Sequence, residues 1–465
     1  MRDLKEFTRL ELNYSYVHGS LFPLMENAGK AVAEVVLENF PDKKRILGVC
    51  GKGNNCGDTL IALESLKSKG KEVRAVFIEG EKSITSQDAR EALSRYTGDR
   101  KDISGLDEGI RWANLILDGL LGTGLSGRPK TQYETAISAI NGSNKEIVSV
   151  DIPSGLGTGI QVKPDYTVCF TDLKPGMTEE ACGKIAVRPI GIGEECETYS
   201  GPGDFVYMPL PDPASHKGMN GVVGIIGGWE YYGSAVIASR SAMATGVDLV
   251  FLLTAEDKVG IVSSFTPNHI VRKYSTATLN LFMPRFTSIL LGSGMGRSNE
   301  SFDALKYVLK NFSGPIVVDA DGLNQLGSQP DLLRGKKTII TPHSHEFMDL
   351  SGLEAGEANL KFFASEYSTV AILKGPEDII TDGKDVWHTR GGNPRMTMGG
   401  TGDSLAGILA GLLSKGMELT TAARLGSFIA KKAGEIAFEK KRYWYSLDEM
   451  IASIPEVMVR YEIRK

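Results

Sequence analysis

The sequence has no long apolar run. Its best candidates, GVVGIIGG and TSILLGSG, are short and bounded by glycine, which suits buried strands and argues against a membrane span. The opening residues MRDLKEFTRLELN carry no apolar stretch of the kind that directs secretion, so a cytoplasmic location is expected. Lysine and arginine are spread along the chain and the net charge is −5, so no nucleic-acid surface and no membrane partner are expected. Cysteine is scarce: Cys50, Cys56, Cys169, Cys182 and Cys196 make an odd set with no CxxC pair, which argues for reduced thiols rather than a disulfide framework. Six scattered histidines do not make a zinc site. There is no internal repeat and no low-complexity tract. The dinucleotide pattern GxGxxG does not follow the first strand, so a nicotinamide-dependent dehydrogenase is not expected.

What is present is alternation. Runs such as KRILGVC, EVRAVFI, NLILDGL and EIVSVDI read as buried parallel strands, and patterns such as DTLIALESLKSKG read as the helices between them. A second series runs through GVVGIIGG, DLVFLLT, SILLGSG, PIVVDAD, KTIITPH and TVAILKG. Both predict α/β units with a sheet covered on both faces, a three-layer sandwich in each half, with ligands at the carboxyl ends of the strands. Between the two series Pro209, Pro211 and Pro213 fall within five residues, which predicts a linker over 209–213. Residues 1–208 and 214–465 are then the two domains of the 465-residue chain.

Three strand ends in the first half carry glycine and polar residues together. Gly51, Gly53 and Gly57 follow the first strand and lead into a helix, whose free backbone N–H groups suit a phosphate. The glycines alone would make an ordinary tight turn; Asn54, Asn55 and Asp58 add a polarity that such a turn does not need. Asp118 and Asp151 each end a strand, the latter followed by Pro153, Ser154 and Gly155. Either aspartate alone is as well suited to capping a turn as to chemistry. Three such loops together point to one crevice.

At these residues the chain resembles the YjeF N-terminal domain, the NAD(P)H-hydrate epimerase family. The resemblance rests on LMENAG at 24–29, GKGNNCGD at 51–58, LDGLLGTGL at 117–125, VDIPSG at 150–155 and the DYTVCF…LKPG segment, over roughly the first 200 residues. It implies that Asn54, Asn55, Cys56, Gly57 and Asp58, with Gly122, Thr123, Gly124, Leu125, Ser126, Gly127 and Arg128, hold the hydrated nucleotide. It also implies a potassium ion on Asn55, Asp118 and Ser154, and Asp151 as the acid/base residue. Cys56 and Thr59 stand where the family usually has glycine.

In the second half, RMTMGGTGDSLAGILAGLLSKG places Gly399, Gly400 and Gly402 before a helix that begins near Asp403. Backbone N–H groups at such a helix start can stabilise a transferring phosphoryl group, and a carboxylate there can accept a hydroxyl proton. A glycine loop with a capping aspartate is common by itself. LKGPED at 373–378, VVDADGLN at 317–324 and TPHSHE at 341–346 strengthen the chemical reading, with Asp319 and Glu346 able to order a magnesium ion.

Nearly all of 212–465 resembles the ribokinase-like NAD(P)H-hydrate dehydratase family, through HKGMNG at 216–221, GGWEYYGSAVIAS at 227–239, GSGMG at 292–296 and the segments above. The resemblance implies that Ser234, Gly296, His343 and Asp403 bind the hydrate, with Asp403 as general base. Lys374, Gly375, Pro376, Glu377, Asp378 and Gly402 would bind ADP or ATP. Two small departures from the family are Gly233-Ser234-Ala235 for GAA and Ser293-Gly294-Met295-Gly296 for PGLG. Together the halves imply a fused repair enzyme for hydrated NADH and NADPH, with potassium in the first domain and magnesium with the nucleotide in the second. Either ADP or ATP fits the loop; the resemblance favours ADP. A homo-oligomer is expected. The rival readings are a vitamin or sugar kinase with an accessory domain, and a kinase-like half regulated by a non-catalytic nucleotide-binding module.

Overall fold

In a computed structural model, which describes residues 2–463 other than 126 and 328, the chain divides into two compact units, Met1–Glu194 and Glu195–Lys465. The first holds seven strands: β1 (Arg45–Cys50), β2 (Glu72–Phe77), β3 (Asp99–Asp102), β4 (Leu115–Gly119), β5 (Glu146–Val150), β6 (Tyr166–Phe170) and β7 (Lys184–Arg188). All pair in parallel, in the order β3-β2-β1-β4-β5-β6-β7. Alternate β1 residues feed opposite layers. Ile46 and Cys50 pack into one apolar cluster, while Leu47 and Val49 pack into another. A strand buried on both faces in this way reads as a continuous apolar run.

The second unit holds β8 (Val222–Ile226), β9 (Leu249–Thr254), β10 (Ile270–Lys273), β11 (Ser288–Leu291), β12 (Ile316–Val318), β13 (Thr338–Ile340), β14 (Val370–Leu373), β15 (Asp378–Thr381) and β16 (Val386–Thr389). Their order is β10-β9-β8-β11-β12-β13-β14-β15-β16, parallel except for the antiparallel pairings of β15 with β14 and β16. Val223 and Ile225 of β8 enter one core cluster, Val222 and Ile226 the other. The predicted α/β class and three-layer arrangement hold in both halves. Strands absent from the sequence reading lie at or near sheet margins, as in the fully exposed β3, DRKD, whose charges suit an edge and hide its period.

The direction of the chain reverses between β1 and β4 and again between β8 and β11, so a crevice opens at the carboxyl ends beside each switch. The LMENAG segment belongs to the helix Phe22–Asn39, which packs on the helix Asn54–Ser68. A Cβ on Gly29 would lie 2.5 Å from the Ile61 Cβ, and one on Gly57 would lie 2.4 Å from the Met25 sulfur. Those glycines therefore set helix spacing.

Residues 195–208, placed by the sequence reading in the first domain, pack into the second unit. Phe205 in the 3-10 helix Pro202–Tyr207 is 3% exposed and meets Phe428 and Tyr461 edge-on or tilted, with ring centroids 6.5 and 6.1 Å away. Asp204, fully buried, lies 3.0 Å from Arg424 Nε. Removing one partner of a buried ion pair costs about 3–5 kcal/mol. Asp204→Asn in the full chain is therefore expected to lower the unfolding free energy of the second unit by that order and move its guanidinium midpoint down, followed through Trp387, whose ring lies 5.1 Å from the Arg424 guanidinium carbon. An unchanged midpoint would show that this segment is not part of the second core.

Candidate functional site

In the first unit a cleft of about 740 Å³ opens beside the β1/β4 switch. Asn54, Asn55, Asp58, the run 122–125, Arg128 and Asp151 all line it. The loops after β1 and β4 touch: a Cβ on Gly51 would lie 1.9 Å from the Leu120 carbonyl oxygen, and one on Gly122 would lie 2.5 Å from Asn55 Oδ1. Only glycine permits both approaches.

Asp151 has a φ of +67°, a left-handed backbone that non-glycine residues seldom adopt. The conformation is held by its N–H donating to Val168 O at 2.8 Å and by Phe170 N–H donating to Asp151 Oδ1 at 3.2 Å. Lys174, which is 4% exposed, forms an ion pair with the same oxygen and donates to Phe170 O at 2.8 Å. Strain of this kind gathers at working sites, and here it aims a carboxylate into the cleft. Lys174 carries no individual signal in the sequence beyond its place in LKPG. Phe7 and Glu11 of the helix Leu4–His18 also line the cleft and were not among the predicted residues. They lie on an ordinary amphipathic pattern with no motif.

Asn55, Asp118 and Ser154 come together. Asp118 is fully buried, accepting from Ser149 Oγ at 2.8 Å, Ser154 N at 2.9 Å and Ser154 Oγ at 2.5 Å. Burial pushes its carboxyl up, opposed by those serine hydrogen bonds. Ser154 Oγ also lies 3.2 Å from the Leu121 carbonyl, and Asn55 Nδ2 donates to Val150 O at 2.8 Å. This set of hard oxygens around a buried carboxylate fits a weakly solvated monovalent cation, whose charge would offset the desolvation of Asp118.

Cys56 and Gly57 do not face the cleft. Cys56 is fully buried beside Cys50, and Gly57 packs on Met25. Thr59 is likewise buried, its hydroxyl donating to Asn55 O at 2.7 Å. The helical turn that presents Asn54, Asn55 and Asp58 to the cleft turns these residues inward. The departures from glycine at 56 and 59 are thus core substitutions. Gly127 lies in the same loop with a φ of +78°, and Ser126 lies outside the described residues.

In the second unit, Asp403 sits in the first turn of the helix Thr401–Ser414, behind the left-handed Gly400. Burial, then the neighbouring Asp319, push its carboxyl up to about 6, opposed by the hydroxyls of Ser293 and Ser234 and by Lys374. Lys374, just past β14, lies 2.8 Å from Asp319 Oδ1 and 3.6 Å from Glu346 Oε2. Burial alone would lower Lys374, but these carboxylates outweigh it and hold the ammonium above its usual range. A Cβ on Gly402 would lie 3.2 Å from the Lys374 ammonium. Three carboxyl groups thus surround one ammonium, an excess of negative charge that suits a divalent cation.

His343 is the N-cap of the helix Ser344–Ser351: its Nδ1 accepts from Glu346 N at 3.2 Å, and Glu346 returns the bond to His343 N at 2.8 Å. The capping box leaves the exposed ring at the edge of the cluster. Ser234 lies in the first turn of the helix Tyr232–Ala244. Gly296, with a φ of +67°, donates its N–H to Asp321 Oδ2 at 2.8 Å.

The loop 374–378, expected from the sequence to bind nucleotide, is anchored from beneath. Asp378 accepts from Gly375 N at 3.0 Å and Ser427 Oγ at 2.7 Å. Lys431 donates to Gly375 O at 2.9 Å and Pro376 O at 3.0 Å, and lies 3.2 Å from Asp378 Oδ1. Asp378 therefore faces inward as a support, while Glu377 pairs with Arg390 at 2.7 Å. Lys431, buried in the helix Leu419–Lys441, lies far from any motif and is visible only in the fold.

Two doubly wound units, each with glycines and carboxylates at its switch point, make a two-domain α/β protein with a candidate site in each half. Residues 22–176 match the family described as YjeF-related protein N-terminus, and 223–456 match NAD(P)H-hydrate dehydratase. Phe7 and Glu11 precede the first match. The chain is 35% identical to the bifunctional NAD(P)H-hydrate repair enzyme Nnr of Archaeoglobus fulgidus, covering 97% of each chain. It is 33% identical to that of Hyperthermus butylicus, over 97% of this chain and 90% of the relative. The chain belongs to the bifunctional NAD(P)H-hydrate repair enzyme family. In fold, it resembles the ADP/ATP-dependent NAD(P)H-hydrate dehydratase of Bacillus subtilis co-crystallised with ATP and Mg2+, at a TM-score of 0.50 and 21% identity, over 57% of this chain and 99% of that one. A hypothetical protein of Streptococcus mutans gives 0.52 and 24%, over 56% and 97%.

A charged hydrogen bond contributes about 1.5–3 kcal/mol. Lys431→Met is thus expected to weaken ADP or ATP binding by roughly ten- to a hundredfold, measured by titration calorimetry. Wild-type affinity would show that the loop keeps its shape without the anchor.

Proposed function

We propose that the first domain interconverts the R and S forms of hydrated NADH and NADPH, and that the second dehydrates the S form using ADP or ATP. The observation that carries this reading is that one chain holds both sets of polar residues at its switch points: Asp151, Asp118 and Ser154 in one, Asp403 with Lys374 in the other.

In the second domain Asp403 takes the proton from the hydrate's hydroxyl as that oxygen attacks the terminal phosphoryl group, whose bond to the bridging oxygen breaks to release AMP from ADP or ADP from ATP. The backbone N–H groups that open the helix Thr401–Ser414 stabilise the charge that builds on the phosphoryl oxygens. The C–O bond then breaks, phosphate departs with its electron pair, and loss of a proton from the adjacent carbon restores the ring double bond. Magnesium, held with the nucleotide by Asp319 and Glu346, would neutralise phosphate charge. Ser234, Gly296 and His343 orient the hydrate, and Lys374, Gly375, Pro376, Glu377 and Gly402 form the nucleotide side with Asp378 as support. In the first domain potassium bound by Asn55, Asp118 and Ser154 would hold the two switch-point loops together. Asn54, Asp58, residues 122–125, Gly127 and Arg128 and the backbone at Cys56 and Gly57 shape the hydrate site around Asp151.

Asp403 acts as a base only when ionised, and its carboxyl sits up to about 6. Dehydration of S hydrate, followed by recovery of reduced-nicotinamide absorbance, is expected to rise with pH through about 6 and level off above it. Asp403→Asn should lower the plateau by roughly a hundred- to ten-thousandfold. A phosphorylated product accumulating without absorbance recovery would favour a plain kinase.

Asp118→Asn and Ser154→Ala are expected to slow conversion of the R form and remove its response to potassium, while S-hydrate turnover stays at the wild-type rate. Loss of S turnover in a folded variant would refute the division of labour.

A further inference from the structure

The first-unit cleft holds more acid than one catalytic aspartate requires. Glu11, Asp58 and Asp151 all line it, from the helix Leu4–His18, the helix Asn54–Ser68 and the turn after β5; Lys174 is the ammonium paired with Asp151, and Lys52, Glu79, Arg128 and Lys130 are the other charged groups of the lining. The helix that carries Glu11 is firmly seated. Asp3 caps it, Leu10, Asn13 and Tyr14 are buried, and Arg9, 1% exposed, holds Glu6 through Nε at 2.9 Å. Lys174 Nζ lies 4.8 Å from the centre of the Phe7 ring one turn earlier, which ties the helix to the residue that neutralises Asp151.

The two carboxyls differ in kind. Asp151 Oδ1 has Lys174 in direct contact and Phe170 N–H donating to it. Glu11 has neither. As a residue Glu11 is exposed, yet its carboxyl is set in the cleft wall, where desolvation and then the charge of Asp151 push it up to about 7, with Lys174 opposing. Asp58 is pushed well up by burial and by Asp151 and Glu11, and sits deeper, 8% exposed. Paired carboxyls whose surroundings separate their proton affinities make an acid and a base.

We propose that Glu11 is the second catalytic acid–base group of the epimerase, acting on the face of the hydrated ring opposite Asp151. The inference rests on the reading of the first unit as the epimerase. The carbon that inverts bears both the hydroxyl and the ring nitrogen. Its C–O bond breaks as the nitrogen lone pair forms a C=N⁺ bond, and the hydroxyl takes the Glu11 proton and leaves as water. A water molecule adds from the other face, its electron pair re-forming a C–O bond as the C=N⁺ pair returns to nitrogen, and its proton passes to Asp151. The atoms balance, and Glu11 has lost the proton that Asp151 has gained. Solvent exchange or the reverse reaction resets the pair, so one shared proton serves both directions and both should lose rate when it is lost.

The experiment uses the full chain with a racemic hydrate mixture, ADP or ATP, and absorbance at the reduced-nicotinamide band, corrected for enzyme-free inversion. Excess enzyme separates a first phase, consuming S hydrate, from a second, limited by inversion of R. Glu11→Gln is expected to leave the first phase at the wild-type rate and slow the second by roughly a hundred- to ten-thousandfold. In the wild type the second-phase rate should fall as pH rises through about 7; Glu11→Asp should restore part of the rate and keep that limb. A wild-type second phase in Glu11→Gln overturns the proposal. So does loss of the limb in Asp58→Asn with its survival in Glu11→Gln, which assigns the proton to Asp58. If Glu11→Gln loses both phases through misfolding, the limb in Glu11→Asp decides: its absence refutes the role. A wild-type chain that stalls at half conversion would instead refute the epimerase reading itself.

Discussion

At Gly51 a methyl group would lie 1.9 Å from the Leu120 carbonyl oxygen; at Gly227 one would lie 2.3 Å from Ser293 O, and at Gly292 one would lie 1.8 Å from Asp319 O. The first two sit where parallel strands end on either side of a switch point and the third joins the ends of β11 and β12 beside it, and each is closer than any side chain allows. They press neighbouring loops together at the floor of both crevices. Asp118 can then be satisfied by Ser154 and the Leu120 N–H from adjoining loops, and Asp319 can meet Lys374 from a strand two places away. Everything that binds or reacts in either half hangs on backbones that no residue but glycine can bring so near.

Within that frame each site gathers carboxyl groups around one lysine, with different results. In the first unit Lys174 contacts Asp151 directly, while Glu11 and Asp58 are pushed up by desolvation and by the charge of Asp151. In the second, Lys374 contacts Asp319 and reaches Glu346, while Asp403 is left with serine hydroxyls and rises to about 6. One ammonium pairs directly with one or two of its neighbours. A carboxyl left outside that direct contact is the one whose proton affinity rises, as the work of a general acid or base requires.

Much of this was legible in the chain. Buried strands announce themselves as Val- and Ile-rich runs, and all ten runs noted became strands at the expected places. The glycine loops and their aspartates also sit where strand ends predicted. Cys56, Gly57 and Asp378 were read as ligand-facing but turn inward, because sequence spacing does not say which side of a helical turn or hairpin meets the core. Lys431 and Glu11 carry no motif at all. They matter only because the helices Leu4–His18 and Leu419–Lys441 are laid against loops distant in sequence.

The sequence by itself determined the two α/β halves, their strand ends and the glycines those ends require, since periodicity and steric demand are local properties of a chain. Tertiary structure alone decided that residues 195–208 belong with the second core, through Phe205 and the buried Asp204–Arg424 pair. It alone also decided which carboxyls are raised in proton affinity. Proton affinity depends on burial and on the distance to other charges, and neither exists until the chain has folded.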